Sequence, residues 1–222
     1  MPKWFKPPKF LKSLKRKKVY ENPHLKALKS VVRVKELNFL KEHDVIEAVT
    51  PEGKKLLIPH SQFEFVVKNW KKLVNKEKWV VKKHSIYHKG YHTTVDGKKL
   101  FMKDYNDSAI SGPYGAIHEF NNMIKFGKRD IHPKITVRTP KLFFAGNGII
   151  IMEDISEISR PAHPEGIIKK AEKILEEEYN MSFLGEVSHM PNVSEIHLES
   201  YDEATGHINL IITDLKYYKI KI

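Results

Sequence analysis

Lys98–Ile155 opens with KKLFMKDYND (98–107), passes through GAIHEFNNMI (115–124) and closes with TPKLFFAGNGIIIMEDI (139–155); its reading decides the fold. The apolar run Leu100–Phe101–Met102 follows the turn Val95-Asp96-Gly97-Lys98, and an apolar run behind Asp-Gly predicts a hairpin strand. Lys103 ends that strand. Sixteen residues later comes Glu119, within GPYGAIHEFNNMIKF (112–126), where Ile117, Phe120, Met123 and Ile124 recur at helical spacing. Two short apolar strands follow, 141–145 and 149–152. They are joined by Gly146-Asn147-Gly148, whose residue types favour a tight reversal.

Further along, 195–200 and 207–213 read as a second strand pair around Ala204-Thr205-Gly206, leading to Asp214. Between the two regions, Pro161 and Pro164 interrupt the chain. A helix is expected from about Pro164-Glu165 to Tyr179, with Ile167, Ile168, Ala171, Ile174 and Leu175 as its apolar stripe.

The order strand lysine, helix glutamate, apolar strand pair, then aspartate after a further strand resembles the small lobe and metal-binding strand of protein-kinase-like and aminoglycoside-phosphotransferase-like folds. The resemblance covers roughly residues 79–216. It implies that Lys103 holds nucleotide phosphates and pairs with Glu119. It also implies that the passage Ile150–Ile155, with Glu153 and Ile155, reads adenine through a hinge, and that Asp214 binds the metal of Mg-ATP. Local readings of the same residues are a solvated strand-end lysine, a glutamate on the wet face of a helix and an aspartate capping a turn.

The chain departs from the family pattern in ways that shape the expected chemistry. Lys78–Thr94 contains a single glycine, Gly90, where the family carries a Gly-rich phosphate loop. The catalytic loop should precede the strand at 195–200. There the sequence has His189 but Pro191 at the position of the catalytic aspartate, and Glu195 near the second metal-ligand position. Eight residues follow Asp214, so a reduced large lobe is expected. His189, Glu195 and Glu199 are the remaining candidates for catalytic groups.

Charge is uneven. Residues 1–90 hold 23 Lys+Arg against 8 Asp+Glu, a net of +15, whereas residues 91–222 hold 16 against 19, a net of −3. The first eighteen residues, MPKWFKPPKFLKSLKRKK, carry eight positive charges and no negative one, with Trp4, Phe5 and Phe10 interleaved. Such an arm suits a nucleic-acid backbone with base stacking, docking on a protein partner, or an anionic membrane surface. Residues 20–75 read as a basic module. It has a helix over Leu25–Leu40, a hairpin from Val45–Val49 and Leu56–Ile58 around Thr50-Pro51-Glu52-Gly53-Lys54, and a helix over Phe63–Val74 with Phe63, Val66, Val67, Trp70 and Val74 on one side.

No apolar run approaches the eighteen residues a membrane-spanning helix needs, and lysines throughout the N-terminus argue against a secretory signal. The absence of cysteine fits an intracellular protein. His84, His88 and His92 are spaced by four, but their surroundings favour strand. Residues four apart on a strand lie about 13 Å from each other, too far to share one metal.

The expectation is an α+β protein: a basic arm (1–18), a basic helix-hairpin-helix module (19–77), a kinase-small-lobe-like region with an antiparallel sheet (78–158) and a truncated large-lobe-like region (159–222). The expected function is nucleotide binding by a degenerate or minimal phosphotransferase, a pseudokinase of regulatory or viral/phage-encoded type, in the cytoplasm or associated with a virion. The competing class is a non-enzymatic nucleic-acid-binding or assembly protein acting through residues 1–90. An aminoglycoside-type kinase ranks third, because no catalytic aspartate is identifiable.

Overall fold

The computed structural model describes residues 22–84, 88–108, 112–156, 158, 166–179, 196–213 and 215. The fold is α+β, built from four helices and two sheets among the described residues. In chain order they are α1 (Pro23–Lys29), β1 (Glu36–Leu40), β2 (Val45–Val49), β3 (Lys55–Pro59), α2 (Phe63–Val74), β4 (Val80–His84), β5 (Lys89–Val95) and β6 (Lys98–Asp104). Then follow α3 (Tyr114–Phe126), β7 (Lys128–His132), β8 (Ile135–Arg138), β9 (Leu142–Gly146), β10 (Ile149–Glu153), α4 (Ile167–Tyr179), β11 (Ile196–Asp202) and β12 (His207–Ile212).

The large sheet has eight antiparallel strands in the order β1-β2-β3-β9-β10-β6-β5-β4. Three of them come from the basic region 19–77 and five from 78–158, so these two stretches of sequence share one sheet. The small sheet runs β11-β12-β8-β7, with β12 and β8 parallel.

Both faces of the large sheet are covered, which explains why β9 and β10 are almost continuously apolar rather than alternating. Along β10, Ile149 and Ile151 join a core with Leu28 of α1 and Phe63, Val66, Trp70 and Leu73 of α2. Ile150 and Met152 point the other way, into a core with Ala116, Phe120 and Met123 of α3, Ala171 and Leu175 of α4, and Leu198 and Leu210 of the small sheet. The period-two alternation of a strand therefore sorts one run of isoleucines between two cores.

The two reversals flanking the central strands have the left-handed backbone that their residues allow. Asp96 and Gly97 sit at φ 46° and 75°, and Asn147 and Gly148 at 53° and 76°. Two positive-φ residues in succession match the twist of the hairpins they close. The second turn is pinned from outside: Tyr105 N donates to Gly148 O at 2.8 Å, and Asn106 Nδ2 donates to Asn147 O at 3.0 Å.

The helix expected over Leu25–Leu40 is corrected. Helix α1 stops at Lys29, capped by the Ser30 hydroxyl, which donates to Ala27 O at 2.5 Å. Leu37 and Leu40 belong instead to the edge strand β1. Val31, Val32 and Val34 lose side-chain freedom in a helix and favour extended chain, so the helical spacing of the leucines is coincidental there. In α2 the buried stripe includes Leu73, while Val74 faces out. The hairpin β7–β8 was not anticipated; its strands are short and carry only Ile131, Ile135 and Val137 as apolar residues.

Gly148 gives a direct test of the pinned turn. A Cβ there would lie 2.3 Å from Asn106 Oδ1, in addition to the strain of positive φ. Gly148→Ala is expected to cost about 2–3 kcal/mol, read as a lower urea midpoint at unchanged m-value. Gly97→Ala, with no atom within 4 Å of the added carbon, should cost only the backbone strain of about 1 kcal/mol.

Candidate functional site

Lys103 lies on the β6 face directed at α3, and the strand pairing sets it opposite Ile150 of β10 and Gly90 of β5. Helix α3 lies against β9 and β10 on that face, and Glu119 sits midway along it. The two side chains meet at 2.5 Å, Lys103 Nζ to Glu119 Oε1, with Lys103 5% and Glu119 0% exposed. A solvated strand-end lysine and a wet-face glutamate are therefore excluded.

The pair is held at both ends. Lys103 also donates to Thr213 O at 2.8 Å, and the fully buried Tyr105 donates its hydroxyl to Glu119 Oε2. Tyr105 is two residues beyond Lys103, hence on the same side of the chain, and period two on β6 is the signal that could have found it. One turn after Glu119 on α3, Asn122 Nδ2 donates to Leu215 O at 2.6 Å. The chain just beyond β12 is thus fastened on each side of residue 214, by Lys103 before it and by Asn122 after it. Asp214 itself lies outside the described residues, as do His189 and Glu195.

Glu153 and Glu199 are brought together by a residue that sequence reasoning missed. Arg138, at the end of β8, places Nη1 2.8 Å from Glu153 Oε2, Nη2 2.5 Å from Glu199 Oε1 and Nε 2.9 Å from Glu199 Oε2. The guanidinium fork fits two carboxylates at once, and it ties the end of β10 to β11 of the other sheet. The neighbouring carboxylates hold the Arg138 pKa above its usual value. Glu153 also accepts from Lys141 N at 3.0 Å. Burial pushes its carboxyl up, but Arg138 and the Lys141 amide outweigh that and leave its pKa below the ordinary one. Both oxygens of Glu199 accept from Arg138, so this candidate base is already engaged.

Next to Glu153, the Asp154 carboxylate receives Ser156 N at 2.9 Å and faces Lys82 Nζ at 3.5 Å and His92 Nδ1 at 3.7 Å. Asp154 N donates to Lys99 O at 3.1 Å, joining the chain after β10 to the start of β6. Ile155 is half-buried on that same passage and accepts Ile158 N at 3.1 Å.

Two stability outcomes follow from these contacts. Removing Glu119 alone, as Glu119→Leu, strands a buried ammonium and should cost about 3–5 kcal/mol, whereas Lys103→Met/Glu119→Leu should recover most of that loss; chemical denaturation of the four species of the cycle measures both. The second concerns pH. A carboxyl with a depressed folded-state pKa contributes stability above its unfolded pKa, about 4.3 for Glu, and loses it as the pH falls through the folded value. Arg138→Met should thus be less stable than the parent by about 2 kcal/mol at pH 7, with the gap closing below roughly pH 4 in urea midpoints taken from pH 7 to pH 3.

This arrangement stands on its own geometry, because no protein-family model, curated protein or solved structure matches the chain.

Proposed function

We propose that the protein binds a nucleotide as a degenerate, kinase-like protein with little or no phosphotransfer. The observation that carries this reading is the buried Lys103–Glu119 pair, fixed against the chain that immediately precedes Asp214. A phosphate-holding lysine needs an acidic neighbour that orients it without neutralising it, and a helix carboxylate also bound by a tyrosine hydroxyl supplies that. In this reading Lys103 would hold the phosphates, the backbone of Glu153–Ile155 would meet the base, and Asp214 would carry the magnesium. The bound Mg-ATP supplies a polyanion whose charge Lys103 and the metal offset.

Two features favour binding over transfer. Pro191 occupies the position where the family pattern has an aspartate to accept the incoming hydroxyl's proton. Glu199, the described carboxylate among the catalytic candidates, already has both oxygens on Arg138. At 5% exposure, Lys103 would meet a phosphate only after a local rearrangement of what surrounds it. In such a rearrangement Lys103 would exchange its hydrogen bond to the Thr213 carbonyl for the phosphate.

Mg-ATP at millimolar concentration should raise the melting temperature by several degrees, and Lys103→Ala should abolish the shift. Hydrogen exchange at 213 and 215 should change on binding. Radiolabel transfer should stay near background and be insensitive to Glu199→Gln. Absence of any thermal shift would sink the nucleotide reading. Robust transfer that disappears in Lys103→Ala would overturn its degenerate part.

A further inference from the structure

We propose that β4 is a docking edge for an extended acidic segment of another protein, which adds to the large sheet as a ninth, outermost strand. Strand β4 ends the eight-stranded sheet and pairs only with β5 among the described residues. Its outer backbone edge is thus a row of hydrogen-bonding groups open to a further strand. Val80 and Val81 are 61% and 48% exposed, the two most exposed large aliphatic side chains described. Consecutive strand residues face opposite sides, so at this end of the sheet each face carries an exposed valine.

The charge around this edge is predominantly positive. Residues 76–83 hold Lys76, Lys78, Lys82 and Lys83 against Glu77 alone. Lys76 and Lys82 rest on Asp104 and Asp154, but those carboxylates are 1% and 8% exposed while the lysines are 50% and 33% exposed. What reaches the outside is ammonium, each with further N–H groups to donate. The opposite edge, β1, has no such bias, since Lys35 and Glu36 pair with each other there at 3.4 Å.

Other occupants satisfy only part of this. A nucleic-acid backbone would meet the lysines but leave the valines and the open edge unanswered. An anionic bilayer would cover the valines while leaving the edge backbone groups unpaired in apolar surroundings, which is costly. A second copy of the chain would set lysines against lysines. An acidic strand pairs with the edge backbone, covers the two valines with successive side chains on its two faces and puts carboxylates beside the lysines.

The test uses the intact chain and a fluorescent eight-residue peptide of repeated Val-Val-Glu-Glu, which presents valine and glutamate on both faces of a strand, with anisotropy read at low salt. The peptide should bind, its Lys–Val counterpart should not, and N-methyl groups on both backbone edges should weaken binding at least tenfold. Amides of residues 80–84 should exchange at least tenfold more slowly with the peptide present. Lys78→Glu should weaken binding of the acidic peptide and strengthen that of its Lys–Val counterpart. Equal binding of the N-methylated peptide, unchanged exchange at 80–84, or no peptide binding would each overturn the proposal. So would protection of 80–84 by a single-stranded oligonucleotide, by phosphatidylserine vesicles or by dimerisation of the chain. None of these readouts depends on nucleotide binding, so this inference and the nucleotide reading fail separately.

Discussion

Burying a lysine and a glutamate side by side costs several kcal/mol per ion in lost hydration, and mutual attraction offsets this only where the remaining donors and acceptors are also satisfied. Beyond their mutual contact, Lys103 and Glu119 meet that demand through partners from two other places in the chain: the Tyr105 hydroxyl on the extension of β6 and the Thr213 carbonyl beyond β12, with α3 presenting Glu119 to them. Strand, helix and the far end of the second sheet thereby have one mutually acceptable arrangement. A displacement of any of them leaves a buried polar group without its partner. Packing against either core tolerates small shifts more readily than this, because dispersion contacts have no single required direction.

The charge asymmetry of the sequence takes on a different meaning in three dimensions. Lys68 and Lys72 both lie 2.9 Å from Asp96, Lys82 lies 3.5 Å from Asp154 and Lys89 lies 2.6 Å from Asp107, while Lys76 contacts Asp104. Each of these lysines comes from the first 90 residues and each carboxylate from beyond them. Part of the excess that suggests a polyanion surface is thus met within the molecule, across the shared sheet. At Asp96, hydrogen bonds from Lys68, Lys72 and Asn69 hold the carboxyl well below the usual range. The arm at 1–18, with eight positive charges and no carboxylate of its own, remains the segment whose composition calls most strongly for an anionic partner.

Much of the central architecture was legible because it is local. Asp96-Gly97 and Asn147-Gly148 demand tight reversals, so β5–β6 and β9–β10 follow from the residues between them. The spacing of Phe120 and Met123 sets the buried face of α3, but it does not tell that Glu119 shares the buried side, because a glutamate in a helix reads locally as a wet-face residue. In the second sheet the hairpin β11–β12 was legible around Ala204-Thr205-Gly206, but its joining to β7–β8 was not, for the opposite reason. Its parallel pair sets Ile135 against Ile208 and Val137 against Leu210, joining segments seventy residues apart that carry no mark of one another. Arg138 escaped notice on the same ground, since its two carboxylates lie on β10 and β11 and the fork exists only once the sheets meet. The mistaken long helix arose where leucine spacing and β-branched valines disagree, and the valines prevailed.

Arg138 also shows how the two sheets are joined beyond their apolar contact. Glu153 ends β10 at the passage where the chain leaves the large sheet, and Glu199 lies within β11 of the small one. A lysine there would offer one compact charge, whereas the planar guanidinium gives separate N–H groups to each carboxylate and keeps both in fixed orientation. The fork and the Lys103–Thr213 contact thus connect the two sheets at two points, one at each end of the β6–β10 ladder: Glu153 pairs with Leu100, and Lys103 with Ile150. A change at the 213–215 segment meets a second restraint at Arg138, so the small sheet moves relative to the large one only if both give way.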